Sequence, residues 1–205
     1  MTSLALRRWL RRTGSLSAHL QSLGSRFEVE HLSQRVATLL PGEARSMALP
    51  AGTRCMVREV VLRVDGVPLV AARSVAPARS IKGAWRSLGA LGSRPLAQLL
   101  FDTPHVSRSP LVTQRIGAAG AWHRAVSKAW CRATGAPWGP STAWARWSVF
   151  RKAGVPLRVT EVFAPVMRSR PCPQAMRRLS RGSPATSASS RSPTATAATP
   201  SGVPL

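Results

Sequence analysis

CMVREVVLRVDGVPLVAARSV, residues 55–75, decides the fold. Residues 55–64 are rich in β-branched side chains, Asp65-Gly66 supplies the two-residue turn of a hairpin, and 67–75 returns as a second strand. A second pair of the same kind lies at 145–165, ARWSVFRKAGVPLRVTEVFAP, folded about a turn at Lys152–Gly154. FEVEHLSQRV, from Phe27, is a further candidate strand. Helical signals stand between the strands. Residues 4–12 suit a short helix ending before Gly14. Ser15 suits the N-cap of a helix over Leu16–Leu23, closed by Gly24, and Pro95 the first turn of one running to about Phe101. Strands joined by hairpins, with helices segregated between them, predict an α+β fold on an antiparallel sheet. Residues 116–147 hold five of the seven tryptophans among several Gly and Pro, and no element is assigned there.

Composition sets the outer limits. Of the 205 residues 44 % are hydrophobic and 18 % charged, enough apolar material for a core. Lys plus Arg number 30 against seven Asp plus Glu, a formal charge of +23, and all but Lys82, Lys128 and Lys152 are arginines. GC-rich codons also produce such a bias, so the charge favours anions without choosing among them. From Gly182 to Leu205 there is almost no large side chain, and 168–181 is Arg- and Pro-rich without acids. The expected organisation is a domain over 1–167 and a disordered basic tail over 168–205. The tail's six arginines leave +17 on the domain.

Cys55, Cys131 and Cys172 lie far apart, against a disulfide framework or a zinc knuckle. His19, His31, His105 and His123 stand in no metal-binding spacing. Gly89 and Gly92 do not follow a strand as a phosphate-cradling loop requires. No apolar run reaches membrane-spanning length, and the basic N-terminus lacks the apolar segment of a secretory signal. A reduced, cytoplasmic protein without a membrane span is expected.

Two charges stand out because side chains alternate faces along a strand. Arg58 shares a face with Met56, Val60 and Leu62, and Glu161 shares one with Leu157, Val159 and Phe163. Burying an ion without a partner costs several kcal/mol, so such residues are paired or line a cavity. One reading is a structural ion pair between Arg58 and Glu161, or of Arg73 with either. The other is an internal cavity, where Arg58 binds a carboxylate by its planar fork and Glu161 does proton or hydroxyl chemistry.

Five stretches in order resemble the chorismate pyruvate-lyase family of ubiquinone biosynthesis. They are GSLSAHL (14–20), VREVVLRVDGVPLVAARSVAP (57–77), LGSRPLAQLLF (91–101), WARWSVF (144–150) and GVPLRVTEVFAP (154–165). The resemblance covers about 1–167. It implies a monomeric enzyme that removes pyruvate from chorismate and leaves 4-hydroxybenzoate, with no metal or cofactor and no obligate protein partner. It further implies about six antiparallel strands with helices on one side and a ligand cavity under helical flaps. Arg58 would bind the ring carboxylate, helped by backbone groups of Leu16 and Leu96, and Glu161 would meet the hydroxyl end; Arg58 and Glu161 are the expected catalytic residues.

The chain departs from the family pattern at four places, one of them the tail from 168, which has no family counterpart. Ala97 stands where a glycine is usual, Trp147 replaces a second arginine of the W-x-R-R-S block, and 108–143 is longer than in compact members. Two other readings belong to different classes. The same fold serves as an effector-binding domain in transcription regulators, but only about 13 residues precede the first block, too few for a winged helix. A basic nucleic-acid-binding protein would cluster its arginines on exposed faces and lose affinity with salt.

Overall fold

A computed structural model describes residues 2–101 and 103–173. Seven strands form one sheet: β1 (Phe27–Ala37), β2 (Cys55–Val64), β3 (Val67–Pro77), β4 (Val106–Arg108), β5 (Val112–Ile116), β6 (Ala143–Lys152) and β7 (Val155–Phe163). Their order is β1-β2-β3-β7-β6-β4, with β5 also paired to β6, and every pairing is antiparallel. The α+β class is therefore as expected, with one strand more than about six. The short strands β4 and β5 come from a stretch with no clear alternation and are held by their pairing to β6.

The β2–β3 turn is the anticipated one. Asp65 (φ 48°) and Gly66 (φ 76°) adopt the positive values it requires. The Asp65 carboxylate accepts the backbone N–H groups of Ser25 and Arg26, at 3.0 and 2.8 Å, and so ties the start of β1 to the hairpin. A Cβ on Gly24 would lie 2.0 Å from that carboxylate, so a side chain there would displace it.

Helices cover both faces of the sheet, not one as expected. Helices α1 (Leu4–Arg11) and α2 (Leu16–Gln21) pack on Val60, Leu62, Val70 and Phe163. Helices α4 (Arg86–Gly89) and α5 (Leu96–Phe101) cover Ala76, Phe150 and Leu157 of the same face. On the other face α6 (Ala121–Thr134) lays Trp122, Val126 and Trp130 over Val61, Ala71 and Val162, while α3 (Glu43–Met47) places Met47 on Val57 and Val75. The cause lies in the central strands, which are apolar on both sides and bury both. Of the tryptophans in the unassigned stretch, Trp122, Trp130, Trp138 and Trp147 thus pack the second face, while Trp144 joins the cluster under α1 and α2.

That second face also holds the partners of Arg73. Its Nε donates to Glu43 Oε1 at 2.8 Å and its Nη1 to Glu59 Oε1 at 3.1 Å. Neither Arg58 nor Glu161 is its partner. Glu59 further accepts from the Ser33 hydroxyl (2.9 Å) and from Arg132 Nη2 (3.0 Å). Burial pushes the Glu59 carboxyl up, but the Ser33 hydrogen bond and the Arg73 and Arg132 charges pull it further down, leaving it below the ordinary carboxylate value. A folded-state pKa below the unfolded one adds stability that is present above the unfolded value and fades as pH falls through the folded one. The melting-temperature gap between wild type and Glu59→Gln is therefore expected to be widest near neutral pH and to close as the carboxylate protonates; thermal melts across that range check it.

The chain after β7 turns back along α1. The Arg168 carbonyl accepts the Ser3 hydroxyl at 2.7 Å and the Arg170 carbonyl accepts the Trp9 indole N–H at 3.1 Å, with Cys172 packed on the same cluster. Of the tail expected over 168–205, residues 174–205 lie outside the described residues. A chain ending at Pro173 is expected to outlast one ending at Met167 by about 1–3 kcal/mol, since the shorter one orphans the buried indole N–H. Denaturant melts of the two chains measure the difference.

Candidate active site

Two rows of side chains cross the sheet on the face beneath α2 and α5. Register places Arg58, Ser74, Val159 and Ser148 opposite one another in the first row, and Val60, Ala72, Glu161 and Arg146 in the second. Arg58 and Glu161 are therefore two strands and one row apart. With about 4.8 Å between strands and about 3.4 Å per residue, their Cα atoms stand roughly 12 Å from each other. Between them lies a cavity in which the centre of a water molecule can range over about 50 Å³. Leu16, Leu96, Ala97, Leu100, Phe101 and Arg108 complete its walls. All four expected site residues thus line one cavity.

Arg58 is 2 % exposed. Its Nη2 donates to the carbonyls of Gly92 (2.8 Å) and Arg94 (3.2 Å), while its Nε has no partner. Gly92 (φ 53°) turns the chain between α4 and α5 so that these carbonyls reach the guanidinium. Among the described residues no carboxylate lies within salt-bridge distance of Arg58. Burial alone lowers its pKa to about 10, so it stays cationic at neutral pH. A buried cation that lines a cavity, with carbonyl groups steering it and no acid neutralising it, suits an anion.

Glu161 has a different partner from either expected one. It accepts Arg146 Nε at 2.5 Å, directly across the β6–β7 register. Arg146 is wholly buried, and its Nη1 also donates to the carbonyls of Trp9 (2.9 Å) and Arg12 (2.5 Å) at the end of α1. The same alternation that singled out Arg58 applies to β6, where Arg146 shares a face with Ser148 and Phe150. Arg108, on β4, is the other residue that sequence reasoning passed over. Its Nε donates to Ser148 Oγ at 3.1 Å, and its short strand carried no signal. Leu16 and Leu96 open α2 and α5, so their backbone N–H groups have no acceptor within their own helices.

A sheet that floors a cavity between an acid-free guanidinium and a carboxylate has the chemistry of a pocket for a small anionic molecule. The chain belongs to the chorismate lyase family: the family model described as "Chorismate lyase" matches residues 1–170. A "Probable chorismate pyruvate-lyase" of Albidiferax ferrireducens is 46 % identical over 158 residues, covering 77 % of this chain and 80 % of that protein. One of Aromatoleum aromaticum, with the same name, is 41 % identical over 167 residues, covering 81 % and 88 %. Among solved structures, PhnF from Mycobacterium smegmatis shares the fold at a TM-score of 0.53 and 14 % identity, over 76 % of this chain and 66 % of that one. The PhnF C-terminal domain matches at a TM-score of 0.51 and 15 % identity, over 75 % and 94 %. No helix among the described residues is long and apolar enough to cross a membrane.

The two buried arginines are expected to respond oppositely to replacement by methionine. Arg146→Met strands the Glu161 charge and should cost about 3–5 kcal/mol of stability. Arg58→Met removes an ion that has no counter-charge and should leave the unliganded protein as stable as wild type or more so. Paired thermal melts of the two variants against wild type separate these outcomes.

Proposed function

We propose that the protein is a chorismate pyruvate-lyase, a carbon–oxygen lyase that converts chorismate to 4-hydroxybenzoate and pyruvate. The observation that carries this reading is the buried, acid-free guanidinium of Arg58 in a cavity with Glu161 across from it, in a chain of this family. Chorismate presents matching groups: a ring carboxylate at one end, and a hydroxyl with a neighbouring enolpyruvyl ether at the other.

In this reading Arg58 anchors the ring carboxylate as a charge-assisted fork, held in place by the Gly92 and Arg94 carbonyls. The N–H groups of Leu16 and Leu96 add donors from the two helices that close the cavity. Glu161 then meets the C4 hydroxyl, oriented by Arg146. In the reaction the C4 hydrogen leaves as a proton, its electron pair forms the C3–C4 double bond, and the C3–O ether bond breaks. The enolpyruvate released takes a proton at its methylene carbon and becomes pyruvate. Aromatisation supplies the driving force, so the protein's share is to orient the substrate, exclude water and assist proton movement. Opening the cavity to free the bound aromatic product is expected to limit turnover.

Incubating the purified chain with chorismate, and following pyruvate and 4-hydroxybenzoate together, tests the reading; absence of both products overturns it. Arg58→Met should weaken binding of chorismate and of 4-hydroxybenzoate by about 2–4 kcal/mol and also slow turnover, because orientation is lost. Glu161→Gln keeps the shape of the site. Single-turnover rates should fall much further than product affinity if this carboxylate moves a proton, and in step with it if it only binds.

A further inference from the structure

Four charged groups gather at the cavity, and only two cancel. Arg146 and Glu161 neutralise each other across the β6–β7 pair. Arg58 and Arg108 remain, and neither has a carboxylate within salt-bridge distance among the described residues. A singly charged ligand satisfies one of them and leaves the other bare.

The two cations stand at different ends. Arg58 rises from β2, and burial alone acts on it. Arg108 comes from the opposite edge of the sheet, opposite Phe150, and lies close enough to Glu161 and Arg146 for both their charges to act on it. Its guanidinium is also held: Nε donates to Ser148 Oγ at 3.1 Å and Nη1 to the Gly14 carbonyl at 3.2 Å. Its centre sits 5.2 Å from the Phe150 ring and 5.7 Å from the Phe101 ring. A guanidinium has five N–H donors, of which these contacts use two. The fork is thus aimed and partly unspent at the end of the cavity where Glu161 stands.

From this geometry we infer that Arg108 anchors the second carboxylate of a dianionic substrate, and is the residue that distinguishes it from a monoanionic product. The inference rests on the proposed function. With the ring carboxylate at Arg58 and the hydroxyl at Glu161, the substituent next to that hydroxyl points toward Arg108, and in chorismate this substituent carries the enolpyruvyl carboxylate. Once pyruvate has left, 4-hydroxybenzoate makes no use of Arg108. Arg108 is then a specificity-determining residue.

The test measures binding separately from turnover. The full chain and its Arg108→Gln and Arg108→Lys variants are titrated with two probes. One is 4-hydroxybenzoate, and the other is its stable dianionic relative 3-(carboxymethoxy)-4-hydroxybenzoate. Arg108→Gln should weaken the dianion about tenfold or more and the monoanion less than about twofold, and Arg108→Lys should recover part of the loss. In steady state Arg108→Gln should raise KM for chorismate more than Arg108→Lys does. If Arg108 only tethers Gly14 and the start of α2, both probes weaken equally, and that result overturns the inference, as does a dianion affinity that does not change. Failure of wild type to release pyruvate from chorismate would overturn the functional reading instead, while the two probes still decide whether Arg108 selects the dianion.

Discussion

Arg146 holds the architecture of the site together. It is wholly buried on β6, yet it ties together two separate parts of the chain. One nitrogen pairs with Glu161 on the neighbouring strand, and another binds the Trp9 and Arg12 carbonyls at the end of α1. A cation at a helix C-terminus meets the negative end of the peptide dipoles, and a buried cation needs that company as well as its carboxylate. The consequence is geometric. The helix that leads into α2, one of the two helices over the cavity, is pinned to the same guanidinium that orients the carboxylate on the cavity floor. The positions of α2 and of Glu161 are therefore coupled in this fold.

The arginine-rich composition takes on a different meaning once the interior is visible. Charge of one sign on a chain is ordinarily spread over solvated surface, where it attracts polyanions. Here Arg58, Arg146 and Arg158 are among the largest fully buried side chains. The planar guanidinium makes this possible, because it lies on aromatic rings and spreads its donors over several carbonyls. The carboxylates available to it are few, so backbone carbonyls neutralise much of what acids would otherwise cover. Arg58 differs from Arg158 in where it stands: it lines the cavity, and its Nε has no partner.

Legibility followed the strength of local signals. The hairpin at Asp65-Gly66, the pairing of β6 with β7 and the inward direction of Arg58 and Glu161 all follow from period-two alternation and turn chemistry, which short windows contain. The identity of Glu161's partner does not, because it depends on which strand lies beside β7. Reading β6 by alternation would have raised Arg146 as a candidate, but only register shows it directly opposite Glu161. Helix α6 was hidden for another reason. Trp122, Val126, Ala129 and Trp130 do recur at helical spacing, yet the glycines and prolines around them broke up the pattern. Arg108 lies on a three-residue strand, too short for alternation to show at all.

The departure at Trp147 shows how the fold confines a substitution to one face. Trp147 follows Arg146 in β6, so its side chain points to the opposite side of the sheet from the cavity. There it meets Arg158, whose guanidinium lies 4.2 Å from the Trp147 ring and 5.5 Å from that of Trp122. Arg158 is buried without a carboxylate within salt-bridge distance among the described residues, and burial lowers its pKa to about 10. An arginine at 147 would set a second cation against it. A tryptophan offers an aromatic face, which attracts the cation and fills the space under α3 and α6. The Gly42 carbonyl and the Ser46 hydroxyl take up Nη1 of Arg158, and Thr160 its Nε. The exchange therefore resolves a charge conflict on the second face and leaves the cavity face, with Arg146 and Ser148 on either side of it in sequence, unaltered. Ala97 is the opposite case: it lies in the cavity wall itself, so its methyl group occupies space that a glycine would leave to the ligand.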